Sequence, residues 1–253
     1  MPEISASKWL TTASWDDAPH LDEAAKAEIL GSVETHLKDA RSKGDPVLGA
    51  GAVYPTPLAE LLVKPFVIPA FWPRCYGLDV GWRRTAALWL AWDRNTDIAY
   101  AYTEHYRGQA EPAVHASAIK ARGEWIRGVV DPAARGRSQA DGKRLMTLYQ
   151  AAGLKLTLAK NEVEAGIYAV HERLSTGRLK FFSTLTHLQD EYRNYHRSTG
   201  KDHEGPEGKI VKKDDHLMDC LRYAIISGLS IASIEPVRRQ GPGPSRGDET
   251  VGY

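Results

Sequence analysis

Acidic side chains at three places in the chain have the type and setting for metal-assisted chemistry on phosphate groups. Asp79 lies in Tyr76-Gly77-Leu78-Asp79-Val80-Gly81, a lone charge in an apolar stretch. Asp131 ends the run Ile126-Arg127-Gly128-Val129-Val130 and is followed by Pro132, which halts strand pairing. The third group, Lys212-Lys213-Asp214-Asp215-His216-Leu217-Met218-Asp219, opens a helix. Asp215 and Asp219 are four apart and share one helical face, so like charges meet there unless a cation lies between or nearby. Carboxylates from two strands and a helix, once brought together, suit hard divalent cations such as magnesium, which take oxygen ligands and keep several waters. Two such ions about 4 Å apart activate a water, position a scissile phosphate and stabilise the leaving oxygen of an in-line displacement.

Taken singly, each acid also has an ordinary explanation. Asp79 can be an outward-facing strand residue, since burying it alone costs several kcal/mol; the flanking Gly77 and Gly81 instead leave room for a ligand to approach. Asp131 before a proline is a common turn starter, and Asp214 or Asp215 at a helix start is a routine cap. Positive charge accompanies every acid: Arg83 and Arg84 follow Asp79, Arg135 and Arg137 follow Asp131, and Lys209, Lys212 and Lys213 precede Asp215. A protein that holds a phosphate backbone needs that arrangement, and a solvated basic surface is the alternative. His216 either assists a water or leaving group or is hydrogen-bonded to its acidic neighbours. Tyr192, Tyr195 and His196 either line a groove or pack at helical spacing. Ser138, Ser175 and Cys220 have no local partner that argues for a nucleophile.

Stepping outward, the elements that must carry these acids are readable from composition and period. Cys75 to Val80, Thr85 to Trp92 and Ile98 to Tyr106 form a meander of three strands rich in aromatic and β-branched residues. Strand and helix alternate after it: helix 112–122, strand 126–130, helix 143–152, strand 154–159, helix 162–175, strand 179–182, helix 185–195 and a final helix 214–230. That alternation predicts an α/β fold with a mixed sheet flanked by helices. A helix from Asp22 to Ala40 precedes a Gly- and Pro-rich stretch from Val47 to Pro73, which reads as connecting chain. The expected organisation is a leader over 1–65, one domain over 66–235 and a disordered tail over 236–253, with a loop or hairpin near 196–213.

The bulk properties fit a folded protein. Of 253 residues, 42% are hydrophobic, too many for a disordered chain, and a net charge of +1 leaves nucleic-acid attraction to local clusters. Cys75 and Cys220 lack CxxC spacing, so reduced thiols in a cytosolic compartment are expected rather than zinc or a disulfide. The sequence carries no signal peptide and no apolar run of membrane-spanning length.

The plan of an acid in the first strand of a meander, another ending a later strand and a third on the last helix resembles that of RNase H-like nucleases. The wording is closer: GLDVGWRRTAALWLAWDR, VVDPAARGRSQADG, EAGIYAVHERLSTGRLKFF and VKKDDHLMDCLRYAI resemble the nuclease half of tailed-phage terminase large subunits. SWDDAPHLDEAAKAEIL followed by GAGAVYP is similar to the region that joins the packaging ATPase to that nuclease. The resemblance implies a nuclease that cuts concatemeric viral DNA in the host cytoplasm, using Mg²⁺, or Mn²⁺ in its place, with two ions in the active complex. It implies Asp79, Asp131 and Asp215 as metal-binding acids, Asp219 as a fourth participant and Asp214 as the weaker member of its pair. Double-stranded DNA, the portal protein and the small terminase subunit follow as partners. The sequence departs from the whole motor in lacking GxxxxGK[ST]: Gly44 to Gly49 has the glycine spacing, but Ala50 and Gly51 follow, so no nucleotide site is expected. Another RNase H-like phosphodiesterase, such as a resolvase, or a weakly active module that docks on the portal or small subunit, is the alternative.

Overall fold

Alternating apolar residues after Pro73 fold as the strands of a single sheet whose two faces are both covered. The computed structural model describes residue 15 and residues 21–32, 52–132, 139–160, 162–198 and 209–236. Seven strands run in the order β1-β7-β4-β3-β2-β5-β6: β1 Leu62–Val63, β2 Arg74–Asp79, β3 Thr85–Asp93, β4 Ile98–Arg107, β5 Arg127–Val130, β6 Leu156–Leu158 and β7 Leu179–Phe182. β2, β3 and β4 form the expected antiparallel meander. β5 joins β2 in parallel, and β6 joins β5 in the same way. On the opposite side β7 runs parallel to β4, and β1 to β7.

The helices are α1 Glu23–Ser32, α2 Leu58–Leu61, α3 Pro112–Lys120, α4 Gln139–Ala151, α5 Val163–Ser175, α6 Thr186–Asn194 and α7 His216–Tyr223. A π-helical turn over Ala224–Gly228 and a short α8, Leu229–Ile231, continue α7. Because side chains alternate along a strand, the two faces of the sheet have separate cores. Cys75, Ala86, Leu88, Leu90 and Phe181 pack with Val170 of α5, Leu188 of α6 and Leu217, Met218, Cys220 and Leu221 of α7. Tyr76, Leu78, Ala87 and Trp89 pack on the other side with Ala116 and Ile119 of α3 and Tyr149 of α4.

Three sequence expectations change. The segment read as connecting chain is ordered onto the sheet from residue 52: β1 pairs with β7, Tyr54 and Leu61 are buried, and the Tyr54 ring stacks on Tyr192. The prolines punctuate this segment without freeing it, because its apolar side chains find partners in the core. The last helix begins at His216 rather than Asp214, since Asp214 has φ +50° and Asp215 is the residue at the helix boundary. Asp79 is the last residue of its strand, which was expected to run on to Val80. Around the polar segment, Ser198 N–H donates to Lys209 O (2.8 Å) and Val211 N–H to His196 O (3.0 Å), which forms the base of a hairpin. The expected continuation of α1 to Ala40, Arg135 and Arg137, and the tail beyond Pro236 lie outside the described residues.

Candidate metal centre

Strand period and register bring the first two acids together. Residues 75, 77 and 79 of β2 project to one face and Tyr76 and Leu78 to the other; in β5, Val129 and residue 131 share a face, opposite Val130. Leu78 pairs with Val130, so Asp79 and Asp131 stand one step beyond the last register pair, at the carboxyl ends of adjacent parallel strands. Asp131 N–H donates to Leu78 O at 3.3 Å, which carries the alignment past the strand end. Neighbouring strands are about 4.8 Å apart, so two carboxylates on one face there are close enough to repel.

α7 crosses this same face. A Cβ at Gly77 would overlap the carbonyl of Cys220, so glycine is what lets the helix lie against β2, and Cys220 Sγ contacts Ala86 O at 3.2 Å. The crossing sets His216, at the helix start, against Asp79: Nδ1 donates to Oδ2 at 2.7 Å. Burial raises the Asp79 carboxyl above its usual range, the His216 hydrogen bond works against that, and the Asp219 and Asp131 charges add to it. The bond to Asp79 in turn raises the His216 imidazole, opposed by its partial burial. Asp79, Asp131 and Asp219 thus lie within one electrostatic neighbourhood, and all three charges also act on the buried Tyr223 hydroxyl.

Asp219 is held from two directions. From the interior, Arg222 Nη2 donates to its Oδ1 at 2.8 Å; Arg222 is 1% exposed, and its stem lies where any side chain on Gly166 of α5 would collide. From the solvent side, Lys212 Nζ donates to Oδ2 at 3.0 Å, and the same ammonium lies 2.9 Å from Asp215 Oδ2. The cation demanded by two acids four apart is therefore a lysine of the chain itself. Burial opposes the Lys212 charge, but Asp219 and Asp215 outweigh it and raise its pKa.

Asp215 occupies the N-cap position of α7, yet its side chain makes no capping bond. Glu191 of α6 makes it instead: its Oε2 accepts from Leu217 N–H (2.6 Å) and Met218 N–H (3.2 Å). Burial pushes the Glu191 carboxyl up to about 7, against the pull of Tyr106 and these two N–H groups. Glu104 of β4 plays the same part for α6, accepting from His187 and Leu188 N–H at 3.1 and 3.0 Å. Sequence reasoning missed Glu191 and Arg222. The available signal was position: Glu191 stands three residues after Leu188 and one before Tyr192, on the apolar side of α6, and Arg222 lies between the buried Leu221 and Tyr223.

The remaining expected residues divide. Asp214 is exposed and lines a groove of about 450 Å³ with Tyr106, His187, Glu191, His196 and Lys213, beside the acids rather than among them. Arg84 lies over the Tyr106 ring (4.3 Å), and Tyr106 stacks on His187 (4.6 Å), so Arg84 borders that groove. Arg83, Lys209 and Lys213 are exposed, while Tyr192 and Tyr195 are buried packing residues. Among the described residues no three His, Cys, Asp or Glu side chains close on one point as a cage. What the chain offers is pairs of hard oxygen donors, and magnesium-like ions, which retain waters and take one or two carboxylates each, fit that donor set.

A large terminase subunit of Enterobacteria phage LP7 is 29% identical over 226 residues, 84% of this chain but 45% of that protein, so the chain spans less than half the length of such relatives. The nuclease domain of the phage P22 large terminase superposes with a TM-score of 0.66 at 26% identity, covering 74% of this chain and 96% of that one. The large-terminase nuclease domain of phage SPP1, solved with bound Mn, shares the fold at 19% identity and a TM-score of 0.51, covering 67% of this chain and 97% of that one. The family described as the terminase RNaseH-like domain matches residues 76–227, which span all four acids of the centre, and the chain belongs to that family.

Proposed function

We propose that this chain is a divalent-metal-dependent endonuclease that cuts double-stranded viral DNA during genome packaging. The observation that carries the reading is the register-fixed adjacency of Asp79 and Asp131 on the face that α7 crosses with Asp219. A divalent ion held there, Mg²⁺ or Mn²⁺ and two in the active complex, would supply charge neutralisation and an activated water for in-line displacement.

The chain's own residues do the rest. Asp79, Asp131 and Asp219 form the proposed inner set of ligands, and Asp215, buried one turn earlier and linked to Asp219 through Lys212, extends it. The resemblance ranked Asp215 ahead of Asp219; we reverse that order, because the charge of Asp219 acts on Asp79 and on Tyr223 together with Asp131. His216 keeps a proton on Nδ1 toward Asp79 and so fixes the direction of that carboxylate. Arg84 and Lys213, which border the groove beside Tyr106, and the exposed Arg83 next to Arg84 offer positive charge suited to phosphates. Arg135, Arg137 and Lys209 are further proposed DNA contacts, by their place in the sequence next to the acids. The portal protein and the small terminase subunit are the proposed partners, in the host cytoplasm. Among the described residues no helix is long and apolar enough to cross a membrane.

The test is cleavage of supercoiled plasmid with Mg²⁺, Mn²⁺ or EDTA. Cutting should require the metal and fall by on the order of 100-fold or more in Asp79→Ala and Asp131→Ala. A folded wild-type protein that cuts with neither metal would overturn the reading.

A further inference from the structure

Resting on the metal reading above, we propose that Lys212 is an internal counter-cation that competes with the divalent ion for the Asp215/Asp219 pair and so raises the metal concentration the protein needs. The argument begins with the helix. Two carboxylates four residues apart on one face repel, and α7 keeps both of them largely buried, with 11% and 14% of their side chains exposed. Asp215 has no capping duty, because Glu191 satisfies the helix N–H groups. Arg222 takes only Oδ1 of Asp219, which leaves Oδ2 facing outward.

Oδ2 of Asp215, itself buried, and Oδ2 of Asp219 converge on one ammonium at 2.9 and 3.0 Å. Lys212 reaches them from outside: 55% of its side chain is exposed, and it precedes the helix in the strand-like base of the hairpin. A lysine on a flexible four-carbon stem can swing away when another cation takes its place on the pair, whereas Arg222, buried beneath Asp219, cannot. The carboxylate pair is therefore permanently compensated on its inner side and exchangeably compensated on its outer side. A divalent ion and the ammonium cannot occupy the same pair of oxygens, so each weakens the binding of the other.

Mn²⁺ titration of the full chain, followed by electron paramagnetic resonance or calorimetry in the absence of DNA, reads this directly. Lys212→Met should bind Mn²⁺ roughly tenfold more tightly than wild type, as expected for removal of a competitor coupled by one to two kcal/mol. Lys64→Met, the same charge change on an exposed side chain outside the proposed site, should shift the affinity by less than about twofold, since screening leaves only a diffuse effect. Asp219→Asn should weaken binding and abolish the gain from Lys212→Met. Equal or weaker binding by Lys212→Met overturns the competition while leaving the metal centre intact; absence of Asp219-dependent binding in both proteins overturns the metal reading and the competition together. Lys212→Met without metal is expected to melt below wild type, because the two carboxylates then repel, and a single cooperative transition shows that the comparison is between folded proteins.

Discussion

Asp215 and Asp219 carry the same functional group on the same helix face, and only their surroundings separate them. Asp219 has a buried guanidinium fixing one oxygen and shares a field with Asp79 and Asp131. Asp215, one turn earlier, meets only the ammonium of Lys212 among the described ion pairs. Substituting asparagine keeps the shape and removes the charge, so the two positions can be ranked without a cavity. Asp219→Asn should lower plasmid cutting by on the order of 100-fold or more and Asp215→Asn by about tenfold, the sizes expected for a direct ligand and for an outer supporting group. Measured single-turnover rates at saturating Mn²⁺ decide between them, and the reverse order would return Asp215 to the inner set. From the sequence both acids were visible as candidates, and the resemblance placed Asp215 first; the contacts of Arg222 and Lys212 with them were not visible, because helical spacing alone does not rank those positions.

The elements deliver these residues through a chain of caps. Glu104 on β4 fixes the start of α6, Glu191 on α6 fixes the start of α7, and α7 carries His216 and Asp219 to the strand ends. The meander, the later strands and most helices were legible because apolar periods of two and 3.6 residues are local properties. The caps were not: Glu104 and His187 are 83 residues apart, and a carboxylate that caps a distant helix has no signature near that helix. The ordering of residues 52–63 was hidden for a similar reason, since its support comes from β7 and α6 and not from its own Pro-rich text. Glu191 gives the cap chain a measurable pH signature. Its folded pKa, about 7, lies above the ordinary value of 4.5, so the folded state binds the extra proton. Its contribution is thus fully present below about 4.5 and is lost as pH rises towards and through about 7. Glu191→Gln still offers an oxygen to Leu217 and Met218 but does not titrate. The stability difference between wild type and Glu191→Gln should therefore shift in favour of the variant by up to roughly 3 kcal/mol from pH 4.5 to 7.5, read by denaturant unfolding at each pH. A constant difference across that window would remove Glu191 as the titrating cap.

At the scale of the whole molecule, the proposed metal centre is a place where carboxylates stand together at the expense of stability. Burial and the charges of Asp219 and Asp131 work against ionised Asp79, and the hydrogen bond from His216 offsets only part of that. A ligand that binds the folded state alone reverses this cost: at 100 times its dissociation constant it stabilises by about 2.7 kcal/mol. For a chain of this size that corresponds to a rise of roughly 5 to 10 °C in melting temperature. Wild-type protein should show such a rise with saturating Mn²⁺, and Asp79→Asn should not. The same substitution removes the buried charge while keeping an acceptor for His216, so the variant should melt higher than wild type when both are in EDTA. The two effects have opposite signs, which separates a functional site from a structural one. If Asp79 served the fold, its loss would lower the melting temperature in EDTA as well; if it serves the metal, the order of stability of the two proteins inverts as Mn²⁺ is added.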